Sequence, residues 1–131
     1  MDKVGQPYIL HPLRVMLRLD SLTEKMVGVL HDLIEDTGWT LEKLTGQGYP
    51  PEVIVALDRL TRRPKEEYED FIERLKNDSL ARRVKLADLE DNLDVSRLPE
   101  ITSRDLARLD KYRRAREVLM AVQALARVQP K

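Results

Sequence analysis

The chain has 131 residues, of which 42% are hydrophobic and 35% charged, with 23 basic side chains balanced by 23 acidic ones and no cysteine. That length supports one domain with a single modest core. The charge balance excludes the basic surplus of a dedicated nucleic-acid binder. Without cysteine there is no disulfide framework and no thiolate metal site, so any metal must be held by nitrogen and oxygen. No apolar run approaches a membrane span and the N-terminus lacks a signal-peptide core, so the expected location is the cytoplasm, without membrane contact.

The first ten residues begin with turn chemistry, Gly5 and Pro7, and lead through Tyr8, Ile9 and Leu10 to His11-Pro12. Proline suits the first turn of a helix, where its missing N–H costs nothing. Leu13, Val15, Met16, Leu17 and Leu19 then predict a short buried helix ending near Asp20. A central helix follows, capped by Ser21 or Thr23 and closed at Gly38, with Trp39 packed over its exit. Thr40 caps a short helix from Leu41 to about Thr45, which breaks at Gly46-Gln47-Gly48. Pro50-Pro51 opens the next, with Val53, Ile54, Ala56, Leu57 and Leu60 as its apolar face, ended by Arg62-Arg63-Pro64. Lys65 to Lys76 reads as a further helix with Tyr68, Phe71, Ile72 and Leu75 inward. After the cap signal Asn77-Asp78-Ser79 comes a helix from Leu80 to about Leu93, broken by Leu98-Pro99. Thr102 or Ser103 caps a final helix from Arg104 to about Arg127, with Leu106, Leu109, Tyr112, Ala115, Leu119 and Val122 on one stripe. Nothing reads as a strand. The expected fold is an all-α bundle of about six or seven helices in one domain spanning 1–131, with its C-terminal helix over 102–128.

The central helix carries unusual chemistry. Met26, Val27, Leu30, Leu33 and Ile34 follow the spacing of a buried helical stripe. In its last two turns His31 and Glu35 stand one turn apart, with Asp32 and Asp36 beside them. These groups adjoin the apolar stripe, and a buried charge is costly unless paired or bound to a metal. A solvated acidic helix end with one satisfied histidine is the plain alternative.

Only two histidines occur, His11 and His31. Taken singly, His11 reads as a core histidine and Asp88, between Leu86 and Leu89, as an exposed or ion-paired acid. Together, His11, His31, Asp32 and Asp88 supply two imidazoles and two carboxylates from three helices. That donor set suits Mn²⁺, Fe²⁺ or Zn²⁺ better than Ca²⁺, which prefers oxygen alone. A carboxylate one turn from a ligand can take a proton from water if its pKa matches the operating pH.

The run Gly5-Gln6-Pro7-Tyr8-Ile9-Leu10-His11-Pro12, then His31-Asp32-Leu33-Ile34-Glu35-Asp36-Thr37, then Lys85-Leu86-Ala87-Asp88 with Asn92, resembles the HD superfamily of metal-dependent phosphohydrolases. More narrowly it is similar to the hydrolase domain of the RelA/SpoT type, over residues 3 to about 98. The resemblance implies that His11, His31, Asp32 and Asp88 bind one divalent ion, commonly manganese. It implies Glu35 and Asp36 as the pair that orients and activates water. It further implies a nucleotide substrate, (p)ppGpp, whose 3′-pyrophosphate is removed to leave GDP or GTP. Lys3 matches a basic family position near the base, Lys85 is placed to meet a phosphate, Tyr8 to line the pocket, and Asn92 to reach ribose or phosphate. For Lys85, Tyr8 and Asn92 a helix-surface lysine, a core tyrosine and a local cap are the plain alternatives.

The chain departs from the family pattern in three places. It begins almost at the first motif, without the one or two helices that usually precede it, so the apolar face of Tyr8, Ile9, Leu13, Met16 and Leu17 is expected to be exposed and to favour self-association. Asp2 stands where a basic residue is usual. Leu89-Glu90-Asp91-Asn92 replaces an R-L-H-N run, exchanging a base and a histidine for two acids. The synthetase region of the long RelA/SpoT proteins is not among these residues. Two further readings stand beside the alarmone hydrolase: an HD phosphohydrolase for another nucleotide or phosphoester, and a non-catalytic HD module.

Overall fold

Wherever the helical periodicity is interrupted, a proline, a glycine or a capping side chain ends one helix or starts the next. The computed structural model describes residues 10–96, 98 and 100–128, without the side chains at 36, 127 and 128. Over these residues the chain forms seven α-helices: α1 (Leu10–Leu17), α2 (Leu22–Asp36), α3 (Leu41–Gly46), α4 (Pro51–Leu60), α5 (Tyr68–Leu75), α6 (Ser79–Leu93) and α7 (Ser103–Val128). No strand occurs among the described residues, and the fold is the expected all-α bundle.

The caps fix the boundaries. Ser21, not Thr23, opens α2: its hydroxyl accepts from the Glu24 amide at 3.0 Å. Thr40 and Asp78 do the same for α3 and α6, accepting from the Lys43 and Ala81 amides. Thr102 and Asp105 form a reciprocal pair at the start of α7, each side chain accepting from the other's amide. Such caps satisfy N–H groups that the helix cannot pair internally, typically for about 1 kcal/mol each. At the far end of α2 the helix stops at Asp36, two residues before the expected glycine, because Thr37 turns extended and its hydroxyl donates to the Leu33 carbonyl. Trp39 is 38% exposed, with Lys43 beside its ring, and does not seal the exit.

Helix α5 begins three residues later than the periodicity predicts. Lys65 takes a positive φ of 64°, outside the helical region. A left-handed residue other than glycine costs about 1–2 kcal/mol, so something must hold it. Glu66 does. Its amide donates to the Arg63 carbonyl, and its carboxylate accepts from the Arg63 amide and from both Nε and Nη2 of Arg74.

The centre of the bundle is α6, which packs against α1, α2, α4 and α7. A helix enclosed on several sides cannot keep a single apolar stripe. Accordingly Ala81, Arg82, Val84, Leu86, Ala87, Leu89 and Asp91 are all buried around it. Arg82 is tolerated inside because Nε donates to the Gln123 side chain of α7 and Nη1 to the Lys76 carbonyl at the end of α5. Leu57, Leu75, Leu89 and Leu119, one each from α4, α5, α6 and α7, are fully buried. Each such side chain contributes roughly 1.5–3 kcal/mol relative to an exposed one. Gly28 lets α1 and α2 approach closely, since a Cβ there would stand 3.3 Å from Leu19 Cδ1. Lys25 ties the same two helices, donating to the Met16 and Leu19 carbonyls at the end of α1.

Two expectations change. Leu106, placed on the inner stripe of α7, is 58% exposed, whereas Leu109, three residues on, is buried. On α1, Val15 is buried and Met16 half-buried, while Leu13 and Leu17 are exposed. The exposed face predicted there is present for those two leucines; Tyr8 and Ile9 lie outside the described residues.

Candidate metal and phosphate site

α1, α2 and α6 pack on one another, and that packing brings most of the charged residues singled out above into one region. His11, in the first turn of α1, lies between two acids of α6. Its Nε2 is 2.8 Å from Asp88 and its Nδ1 is 2.6 Å from Asp91. Asp91 is fully buried, and its second oxygen accepts from Arg14 Nε at 2.7 Å. Lys85, one turn before Asp88, pairs with the other Asp88 oxygen at 3.0 Å. On α2, His31 Nε2 is 3.1 Å from Glu35, while His31 Nδ1 is buried without a hydrogen-bond partner among the described residues. Asp32 is half-buried on the same helix, and Asn92 half-buried one turn beyond Asp88.

The electrostatics follow from this packing. Burial alone raises the Asp88 carboxyl, but the Lys85 ammonium and the His11 ring overcome it and hold Asp88 well below the usual range. Burial disfavours a charged His11, yet the contacts with Asp88 and Asp91 outweigh it and raise its pKa. Lys85 is raised because Asp88, Tyr68 and Glu35 outweigh its own burial. Glu35 is lowered: burial acts upward, and His31 and Lys85 act downward more strongly. Lys85 thus acts electrostatically on both Asp88 and Glu35, which places the α2 and α6 carboxylates in one field.

A divalent ion fits the kind of donors present. His11 is held by Asp91 through Nδ1, which fixes the ring and directs Nε2 toward Asp88, the usual support of a metal-binding imidazole. The arrangement is another matter. Among the described residues no group of three or more His, Asp or Glu side chains is positioned to hold one ion. Each imidazole Nε2 is instead closed on a carboxylate, His11 on Asp88 and His31 on Glu35. The described residues thus present two separate histidine–carboxylate pairs, His11–Asp88 and His31–Glu35.

Of the remaining expected site residues, Lys3 and Tyr8 lie outside the described residues, as does the side chain of Asp36 at the end of α2. Sequence reasoning missed Asp91 and Arg14 as partners of His11, treating Asp91 only as a departure from a pattern. Its spacing, three residues after Asp88 and seven after Val84, was the available signal, since it places an acid on the buried side of α6. Tyr68, expected in the core, has a buried hydroxyl that lies against the Lys85 ammonium and within electrostatic reach of Asp88.

Fold and site together define an all-α domain whose helices converge on a histidine–carboxylate–lysine centre. Over nearly its full length the chain resembles proteins named as pyrophosphokinases. It is 33% identical over 135 residues to a probable GTP pyrophosphokinase of Mycobacterium leprae, a match covering 96% of this chain and 17% of that protein. It is 31% identical over 137 residues to a GTP pyrophosphokinase of Streptomyces coelicolor, covering 95% and 15%. A GTP pyrophosphokinase of Myxococcus xanthus is 40% identical over 70 residues, covering 50% and 9%. The chain therefore spans about a sixth of these relatives' length or less. No family model matches it. No described helix is long and apolar enough to cross a membrane.

Proposed function

We propose that this chain is a metal-dependent phosphohydrolase of the HD type, with (p)ppGpp as first substrate and removal of the 3′-pyrophosphate as the reaction. The observation that carries the reading is the His11–Asp88 pair, braced by Asp91 and flanked by Lys85 and the His31–Glu35 pair. His11, His31, Asp32 and Asp88 would hold one divalent ion, Mn²⁺ first and Fe²⁺ or Zn²⁺ next, by the softness of their N/O donors. Such an ion supplies charge at a phosphoryl oxygen and lowers the pKa of water.

The chain's own residues then have separate tasks. Asp91 fixes the His11 ring. Glu35 is held as a carboxylate, with 56% of its side chain open to solvent, so it can accept a proton from an attacking water. Water oxygen bonds to phosphorus, the bond from phosphorus to the 3′-oxygen breaks, and pyrophosphate leaves with the nucleoside 3′-hydroxyl restored. Lys85 offers positive charge beside the departing phosphates.

The relatives' names favour a second reading, pyrophosphate transfer to GTP. One experiment separates the two: incubate purified protein and Mn²⁺ with ppGpp, and separately Mg²⁺ with ATP and GTP, and follow the nucleotides by chromatography. Release of GDP and pyrophosphate from ppGpp supports the hydrolase. Formation of pppGpp from ATP and GTP overturns it. Turnover of other nucleotides or phosphoesters alone moves the substrate but keeps the class, and no turnover with no metal bound leaves a non-catalytic module.

A further inference from the structure

Helices α5 and α7 pack on each other with a cavity of about 230 Å³ between them. Its floor is apolar: Ile72 and Ala115 are buried, and Tyr68 and Val118 are half-buried beside them. The two rims carry opposite charges. Glu69 and Glu73, one turn apart on α5, line one side, and Lys111 and Arg114 of α7 line the other. Two of these four are satisfied locally, Glu73 by Lys76 and Arg114 by Asp110. Glu69 and Lys111 are not: neither has an ion-pair partner among the described residues, so the two do not meet across the gap. Lys111 instead rests 4.7 Å from the centroid of the Tyr68 ring and 5.4 Å from that of Tyr112. Burial, then Arg62, Lys85 and Arg108, push its pKa down, so a negative charge beside it would be favoured. The cavity is smaller than the roughly 300–1,000 Å³ of pockets for drug-sized ligands, which suits a molecule the size of one amino acid.

We propose that the α5–α7 cavity binds a small zwitterion with an apolar body, an aliphatic α-amino acid such as leucine. Its ammonium meets Glu69, its carboxylate meets Lys111, and its side chain lies on Ile72, Ala115 and Val118. Opposite charges on facing walls fix the orientation of such a molecule, while the apolar floor supplies the burial. A plain anion is repelled by Glu69 and Glu73, and a plain cation by Lys111 and Arg114. Neither His11 nor Asp88 lines this cavity, and the site does not depend on the phosphohydrolase reading.

The test is calorimetry of the purified chain with L-leucine, isocaproate and isoamylamine, the last two lacking the ammonium and the carboxylate respectively. The proteins are wild type, Glu69→Gln, Lys111→Gln and Lys43→Gln, with Lys43 on α3 as the charge control. Wild type should bind leucine saturably, and both analogues at least tenfold more weakly. Glu69→Gln and Lys111→Gln should each weaken leucine about tenfold, the size expected for one hydrogen bond to a charged group, while Lys43→Gln matches wild type. Because neither Glu69 nor Lys111 has an ion pair to lose, both variants should melt close to wild type, which separates lost binding from lost folding. No saturable binding of leucine at millimolar concentration overturns the proposal. So does equal affinity in all four proteins, or an analogue that binds as tightly as leucine.

Discussion

His11 Nδ1 lies 2.6 Å from a buried carboxylate oxygen of Asp91, a residue 80 positions away. The contact joins the first helix to the central one and orients the imidazole whose other nitrogen faces Asp88. Asp91→Asn keeps the shape and removes the charge. It should weaken Mn²⁺ binding about 10–100-fold, the usual effect of losing a carboxylate behind a metal-binding histidine. Asp91→Ala should also destabilise the fold by up to about 3 kcal/mol, below the full cost of breaking a buried pair because His11 and Arg14 both reach solvent. Metal titration and urea unfolding measure the two effects, and unchanged Mn²⁺ affinity in Asp91→Asn would remove the bracing role.

The double change His31→Ala with Asp32→Ala should abolish metal binding. Wild type should gain thermal stability on adding Mn²⁺ and the double variant should not, since a ligand bound only by the folded state stabilises it by mass action. Equal metal content in the two purified proteins, read by elemental analysis, sinks the four-residue ligand set.

In the proposed ligand set Glu35 does not hold the ion, so Glu35→Gln should retain metal while turnover falls about 10²–10⁴-fold, the range for one proton-transferring group. Steady-state kinetics on the best substrate decide this. A variant as fast as wild type assigns proton transfer elsewhere.

Away from the site, Glu66 gives a pH test. Arg74 and the Arg63 amide lower its pKa from 4.5 to about 2. A depressed carboxylate pKa stabilises the fold above its unfolded value, and that contribution fades as pH falls toward the folded value. The melting-temperature gap between wild type and Glu66→Gln should therefore be constant above about pH 5 and close between pH 4.5 and about 2. A gap independent of pH would show that the Arg74 contact works through shape alone.

Gly28 tests the α1–α2 approach. In Gly28→Ala the new methyl meets the movable end of Leu19 at 3.3 Å, and the gain in helix propensity, up to about 1 kcal/mol, offsets the crowding. Stability should stay within about 1 kcal/mol of wild type. Gly28→Leu cannot be absorbed and should cost about 1–3 kcal/mol by overpacking. Denaturant midpoints distinguish the two, and a neutral leucine would mean the helices are not closely held there.

The helices and their order are legible from local chemistry along the chain. Ser21, Thr40, Pro51 and Asp78 each start a helix through chemistry confined to a few neighbouring residues, so local reading suffices. It also put His31, Asp32 and Glu35 on one helix, because spacing along a helix is fixed. That α6, not the histidine-bearing α2, is the hub emerges from the packing, since enclosure by α1, α2, α4 and α7 erases the one-sided pattern that marks an ordinary helix. It alone paired His11 with Asp91, delayed α5 through the Glu66–Arg74 contact, and set Lys111 over Tyr68. Each of these joins residues distant in sequence, and the energy of such a contact depends on burial and on charges from other helices, which local periodicity does not encode.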